Sequence, residues 1–413
     1  MLGFVTKTSN EPIITDKTFN QDIFCEPASV ESLEILDQLD EHQENSSDLF
    51  ATKASIYSQL KQHQKAIEYF KLAIENCGQD ELDELYLDLA IEYETVKEFD
   101  NAIETLTKIL EINPKNEAAL YEIAFCYDLT REFDKSIEFY TKYIDSHPYS
   151  YTAWYNLGNS YCRIENFEKA VWAYDYCTII NDKFGSAFFN MGNALGNLDK
   201  FKDAIEAYHV CLKLDGEDGL TLNYLGEAYE KLENYDKAIE FYQRALKIND
   251  DLPEPWLGIG IVKDLQGYTS EAINFIKKAV HLRDDNSDYW HVLAEAYEKL
   301  ENWEEASIAF EKSIELSKDI NIDAIISLAR IKSLDSMADA IDFIDSFDIN
   351  EKDTEESNAL LVALYWKNGQ FSESLDVFEN LMLIDVKLAK KVLKHLPEAK
   401  EIQEFIDIMD NLI

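Results

Sequence analysis

The chain is poor in the residues that interrupt helices, with 7 prolines and 13 glycines in 413 residues. That scarcity argues against long linkers and against a sheet-rich fold. Cations are scarce too: Lys plus Arg total 38 against 81 Asp plus Glu, a formal net charge of -43. Such a charge repels phosphate backbones and anionic lipid, so nucleic acid and membrane surfaces are poor partners and a basic partner is compatible. Solvation of long exposed helix faces accounts for the acid excess equally well. No apolar run approaches the length that spans a bilayer. The opening residues MLGFVTKTSNEPIITDK lack the continuous apolar core of a secretory signal. Six cysteines (Cys25, Cys77, Cys126, Cys162, Cys177, Cys211) form no C-x-x-C pair. That usage fits a reducing compartment rather than a disulfide framework, and the expected location is cytoplasmic.

Signatures of chemistry are missing as well. There is no phosphate loop, dinucleotide fingerprint, H-E-x-x-H or nucleophile elbow. The seven histidines are scattered, none three or four residues from another, so the spacing supports no metal site. Neither catalytic residues nor cofactors are expected, and the chain is not expected to be an enzyme.

What the chain does have is a period. In residues 151–182, YTAWYNLGNSYCRIENFEKAVWAYDYCTIIND, the slots of interest hold Trp154, Leu157, Gly158, Tyr161, Ala170 and Tyr174. One period of 34 residues on, they hold Phe188, Met191, Gly192, Leu195, Ala204 and Tyr208. The next period gives Leu222, Leu225, Gly226, Tyr229, Ala238 and Tyr242. Eight consecutive units match, seven in strict phase, with starts at 83, 117, 151, 185, 219, 253 and 287 after a first unit at 47–80. The pattern resembles the tetratricopeptide repeat (TPR) family, whose W, L, G, Y, A, F signature it nearly reproduces.

The resemblance implies an all-α, right-handed α-solenoid (superhelix) of helix–turn–helix repeats, each packing on its neighbours. The expected organisation is an acidic N-terminal arm with a capping helix over 1–46, a TPR array over 47–318, degenerate TPR-like repeats over 319–383 and C-terminal capping helices over 384–413. Within the degenerate stretch two helices are expected, Ile322 to Ile331 and Met337 to Phe347; the closing helices are expected over Val386–Leu396 and Ala399–Ile413. Small residues at the eighth slot (Gly158, Gly192, Gly226, Gly260, Ala294) and the twentieth (Ala170, Ala204, Ala238, Ala272, Ala306) should allow the paired helices close approach. Cys177 and Cys211 share a slot with Ala245 and Ala279 and read as small packing residues. The repeat at 253 breaks the aromatic pattern with Lys263 and holds Gly258, Gly260 and Gly267, so it is expected to be looser or altered for contact.

In such arrays the first helices line a concave face through slots two, five, six, nine, twelve and thirteen. The candidate residues there are Tyr155, Asn156, Asn159 and Arg163, then Phe189, Asn190 and Asn193, then Asn223, Tyr224 and Glu227. An asparagine offers a donor and an acceptor, so a ladder of them can pair with the backbone of an extended peptide. By resemblance to co-chaperone and glycosyltransferase arrays, Asn156, Asn159, Asn190 and Asn193 would form the clasp. The lysines with which co-chaperone clamps hold a terminal carboxylate are replaced by Tyr155 and Phe189, which disfavours an acidic tail as ligand. A second reading of the ladder is family background without a ligand. Asp264, Asp288, Glu295 and Glu298 would make a later part of the face acidic.

The function implied is a non-catalytic scaffold that binds a protein or peptide partner, basic or polar, in the groove. The alternative is a structural subunit or assembly factor that meets partners through its convex face, where Trp172 and Tyr176 on the second helices are candidates if exposed, or through the N-terminal arm.

Overall fold

The computed structural model describes residues 46–78, 81–347 and 354–412. The arm expected over 1–46 falls outside them, save Ser46, whose hydroxyl accepts from Leu49 N to start the first helix. Among the described residues every regular element is helical, in tandem antiparallel-neighbour pairs. The array helices are α1 (Ser47–Gln59), α2 (His63–Asn76), α3 (Leu82–Thr95), α4 (Phe99–Ile112), α5 (Glu117–Leu129), α6 (Phe133–Ser146), α7 (Tyr151–Arg163) and α8 (Phe167–Ile180). They continue through α9 (Gly185–Asn197), α10 (Phe201–Asp215), α11 (Gly219–Lys231), α12 (Tyr235–Ile248), α13 (Pro253–Leu265), α14 (Thr269–Leu282), α15 (Ser287–Lys299) and α16 (Trp303–Leu316). The chain divides into two compact units, residues 1–217 and 218–413.

The repeat is built from a few rules that recur every 34 residues. A short polar side chain starts several first helices: Asn116, Ser150, Asp218 and Asn286 each accept a backbone N–H three residues on. The turn to the second helix passes through a left-handed residue, and in seven repeats this is not glycine. Lys61, Lys97, Arg131, Glu165, Asp199, Glu233 and Glu301 all have φ between 56° and 64°. Gly267 (φ 87°) holds the same place in the repeat at 253. Nothing in the residue types announces this turn, because side chains other than glycine normally avoid it at a cost of ~1–2 kcal/mol.

Packing explains the small residues. A Cβ at Gly158 would lie 2.6 Å from the Tyr174 ring, at Gly192 2.5 Å from Tyr208, and at Gly226 2.5 Å from Tyr242. The eighth slot is therefore empty because an aromatic of the second helix fills it. Ala170, Ala204, Ala238, Ala272 and Ala306 are fully buried, as are Cys177 and Cys211. Cys77, Cys126, Cys162, Cys177 and Cys211 are in no disulfide among the described residues. Burial pushes the Cys177 thiol up to about 12, and that of Cys126 higher still.

In the first unit the core includes two clusters. One joins Phe50, Phe70, Leu89 and Leu106, and the other centres on Tyr140, Trp154, Leu157 and Tyr174. In the second unit, Leu257, Ile276, Leu293, Phe310 and Leu328 anchor the largest cluster. The repeat at 253 is as close-packed as its neighbours, contrary to the looseness expected of it. A Cβ at Gly258 would meet the Tyr242 ring at 2.4 Å, and one at Gly260 would meet Ile276 at 2.5 Å. Gly258 and Gly260 thus admit bulkier neighbours, while Gly267 serves the turn. Lys263 departs from the aromatic pattern but lies over the Tyr268 ring and pairs with Glu271 at 3.2 Å.

Beyond the array come α17 (Ile322–Asp335), α18 (Met337–Asp345), α19 (Thr354–Lys367) and α20 (Phe371–Ile384). The first of these runs four residues past the expected Ile331, and α18 stops two short of Phe347. The two closing helices are each broken, a correction to the expectation of continuous ones. A 3-10 turn at Val386–Leu388 precedes α21 (Ala389–His395), and another at Pro397–Glu401 precedes α22 (Gln403–Leu412).

Candidate functional site

In the first unit, α7 and α9 carry seven of the candidate residues, and their surroundings sort them sharply. Trp154 Nε1 donates to the Pro148 carbonyl at 2.9 Å, which anchors the start of α7. One turn on, the Tyr155 ring packs against Phe184 and Tyr174 at 4.9 and 6.0 Å between centroids. Its hydroxyl accepts from Asn190 Nδ2 at 3.0 Å. The same Asn190 amide donates to Asn159 Oδ1 at 3.0 Å, and Tyr174 OH donates to that oxygen at 2.7 Å. Asn156 Nδ2 donates to Tyr121 OH at 2.9 Å. In the next repeat Tyr208 OH donates to Asn193 Oδ1 at 2.7 Å, repeating the Tyr174–Asn159 bond one period later.

The asparagines are thus a network before they are a ladder. Asn190 and Asn193 are each 3% exposed and Phe189 is fully buried. Asn190 Oδ1 and Asn193 Nδ2 have no hydrogen-bond partner. Tyr155, Asn156 and Asn159 are half-buried, and Arg163 is exposed. Of the two half-buried amides, Asn156 turns its nitrogen and Asn159 its oxygen to the protein. Asn156 also hydrogen-bonds Tyr140, whereas Asn159 Nδ2 makes no hydrogen bond to the described residues.

The second unit holds the remaining three candidates on α11. Asn223 and Tyr224 are buried and Glu227 is half-buried. Asn223 Nδ2 donates to Glu227 Oε1 at 2.8 Å, while Asn223 Oδ1 has no partner. Burial pushes the Glu227 carboxyl up to about 7; Glu230 and Glu254 add to the rise, against the Asn223 hydrogen bond and Lys231. Here Tyr242 OH donates to Glu230 Oε2 at 2.8 Å, because the ninth slot holds Glu227 rather than asparagine.

Three of the four acids expected to charge the later face are partnered. Asp264 pairs with Lys299, Glu298 with Arg330 at 3.0 Å, and Glu295 with His291 at 3.6 Å. Asp288 stays exposed at the start of α15. Among the described residues no group of three or more His, Cys, Asp and Glu side chains is placed to hold a metal ion. None of the described helices is long and apolar enough to cross a membrane. The second helices expose aromatics that the sequence singled out: Trp172 is 47% and Tyr176 42% exposed. Both rings pack on Trp154, at 5.0 and 4.6 Å.

Comparison with known families finds tetratricopeptide-repeat profiles at residues 47–80 and 185–218, 96–157, 220–252 and 287–320. No curated protein matches the sequence. Among solved structures, MamA is 24% identical over 42% of this chain and 94% of its own, with a TM-score of 0.41. YrrB, described as a TPR protein with an unusual peptide-binding site, is 22% identical over 46% of this chain and 96% of its own, at 0.36. The APC/C hetero-tetramer Cut9–Hcn1 is 17% identical over 89% of this chain and 80% of the matched one, at 0.46. The matched segments fall on the helix pairs described above, and the chain belongs to the tetratricopeptide repeat family.

Proposed function

We propose that this chain is a non-catalytic protein-interaction scaffold, and that the first-helix face of α7 and α9 takes an extended, basic or polar segment of a partner protein. The observation that supports the reading is the pair of half-buried amides held by buried neighbours. Asn156 donates to Tyr121 OH and also bonds Tyr140, while Asn159 Oδ1 accepts from Tyr174 and Asn190 and its Nδ2 makes no bond to the described residues. That donor, held in place before binding so that little ordering entropy is lost, suits the carbonyl of a peptide backbone. Tyr155 supplies a rigid flat surface beside them, and Arg163 is the exposed cation of the set. Asn190, Asn193 and Phe189 would act by holding these groups rather than by touching the ligand. On α11, Asn223, Tyr224 and Glu227 form a separate set in the second unit, in which Glu227 would receive a basic side chain.

The test is selection of extended peptides from a display library on the purified protein, followed by titration against Asn156→Ala. Basic or polar peptides should be enriched, and the variant should bind them about tenfold more weakly with an unchanged melting temperature. Enrichment of no peptide, or equal affinity in the variant, would refute the groove. A second reading, a structural subunit meeting its partner through second helices, draws support from exposed Trp172, Tyr176 and Ile179.

A further inference from the structure

Three first helices carry tryptophan at the fourth slot: Trp154, Trp256 and Trp290. Each is anchored alike, its Nε1 donating to the carbonyl six residues earlier at 2.8–2.9 Å. The local sequence then treats them differently. Trp154 is covered by Trp172 and Tyr176, one edge-on and one stacked. Trp256 packs against Phe275 at 6.0 Å. Trp290 meets no other aromatic ring among the described residues, because the corresponding second-helix slots hold Ile308, Ala309 and Lys312. Above it lies a cleft of about 380 Å³ between α14, α15 and α16. Val280, Trp290, Leu293, Tyr297 and Ala309 supply its apolar and aromatic lining, and Lys277, His281, Asp284 and Glu305 its polar members. Ile308 at its edge is 58% exposed.

We propose that this cleft is a docking site for an aromatic side chain of a partner protein, inserted over Trp290 where the repeats at 151 and 253 place rings of their own. The occupant is read from the molecule itself. Two homologous positions show what fits over a fourth-slot tryptophan, and in both it is an aromatic side chain carried by polypeptide. A buried aromatic removes about 150–250 Å² from water and favours edge-on or offset contact with a second ring, the geometry Trp172 adopts on Trp154. Charges of both signs among the lining residues Lys277, Asp284 and Glu305 suit a neutral ring flanked by polar backbone. The site lies wholly in the second unit, shares no residue with α7 and α9, and stands whether or not those bind peptide.

The experiment uses the full chain labelled with 5-fluorotryptophan, whose six fluorine resonances are assigned by single Trp→Phe variants. N-acetyl-tryptophanamide, which presents the side chain in peptide form, should shift the Trp290 resonance saturably while Trp154 and Trp256 stay put. N-acetyl-alaninamide should shift none. Ala309→Phe, copying Phe275, and the pair Ile308→Trp with Lys312→Tyr, copying Trp172 and Tyr176, should each weaken binding at least about tenfold. Circular dichroism establishes that both are folded, and either one alone suffices as the test. Parallel drift of all six resonances, or unchanged binding in both folded variants, would overturn the proposal. So would binding of free tryptophan but not of the amide, which would mark a metabolite site. A Trp290 response seen only after Phe4, Phe19 and Phe24 are all replaced by Ser would also overturn it, since the chain's own first residues would then be the occupant.

Discussion

The repeats at 151 and 185 and the repeat at 219 solve one packing problem in two ways. In all three, a tyrosine of the second helix lies where the eighth-slot glycine leaves room, and its buried hydroxyl needs an acceptor. In the first unit the acceptor is a neutral amide at the ninth slot, Asn159 for Tyr174 and Asn193 for Tyr208. In the second unit the ninth slot holds Glu227, and Tyr242 turns to Glu230 three residues on. The neutral solution costs little and is independent of pH. The acidic one leaves a carboxyl in a desolvated place, without an ion pair of its own, and holds its proton to about pH 7. A polar group placed for packing can thus be electrically silent in one repeat and titratable in the next.

The largest effect should come from making the first solution resemble the second. Asn193→Asp puts a carboxylate at a position 3% exposed, and above neutral pH it should cost more than about 2 kcal/mol. Much of the loss should be regained in acid, where the group is neutral. Thermal unfolding at pH 5 and pH 8 measures it; equal losses at the two values would mean that the site hydrates freely.

Making the second solution resemble the first should have a smaller and opposite effect. Glu227 in the folded protein holds its proton to about pH 7, against an ordinary value of 4.5. Between those values the folded state binds more protons than the unfolded one, so its stability falls as pH rises through the window. Glu227→Gln should therefore melt at the same temperature as the native chain below pH 4.5 and higher at pH 8. The surrounding charges to watch are Glu230, Glu254 and Lys231. A native melting curve that is flat from pH 5 to pH 8 would remove the distinction between the two repeats.

The smallest effect concerns the turn that both kinds of repeat share. Gly267→Ala should cost about 1 kcal/mol, because a side chain enters the left-handed region, while Glu233→Gly at the equivalent place should change stability by less than that. Denaturation midpoints of the two variants compare them directly.

Much of the architecture was legible in the sequence because it rests on period. Gly158 and Tyr174, or Ala170 and Cys177, recur with their counterparts 34 residues away, and only helices in fixed phase bury such slots together. For the candidate residues, slot position foretold less: Asn156 and Asn159 are half-exposed, but Asn190, Asn193 and Asn223 are buried in packing. Slot position gives the side of a helix and not which neighbour claims an amide. A signal was available: an asparagine at the ninth slot accompanies a tyrosine at the twenty-fourth in the repeats at 151 and 185, which identifies a buried donor in need of an acceptor. The seven left-handed turn residues were not legible, since Lys61, Arg131 or Glu165 carry no mark of that conformation. The bare Trp290 required knowing which second-helix slots lean over the first.

The distribution of thiols has a practical consequence. Past Cys211 the chain has no cysteine, and Cys126, Cys177 and Cys211 are wholly enclosed. A thiol reagent added to the native protein must wait for the surrounding helices to part, so its rate at these positions becomes a clock for transient opening. That clock runs in residues 1–217 alone, and a cysteine placed in the later helices would give the other unit a clock of its own.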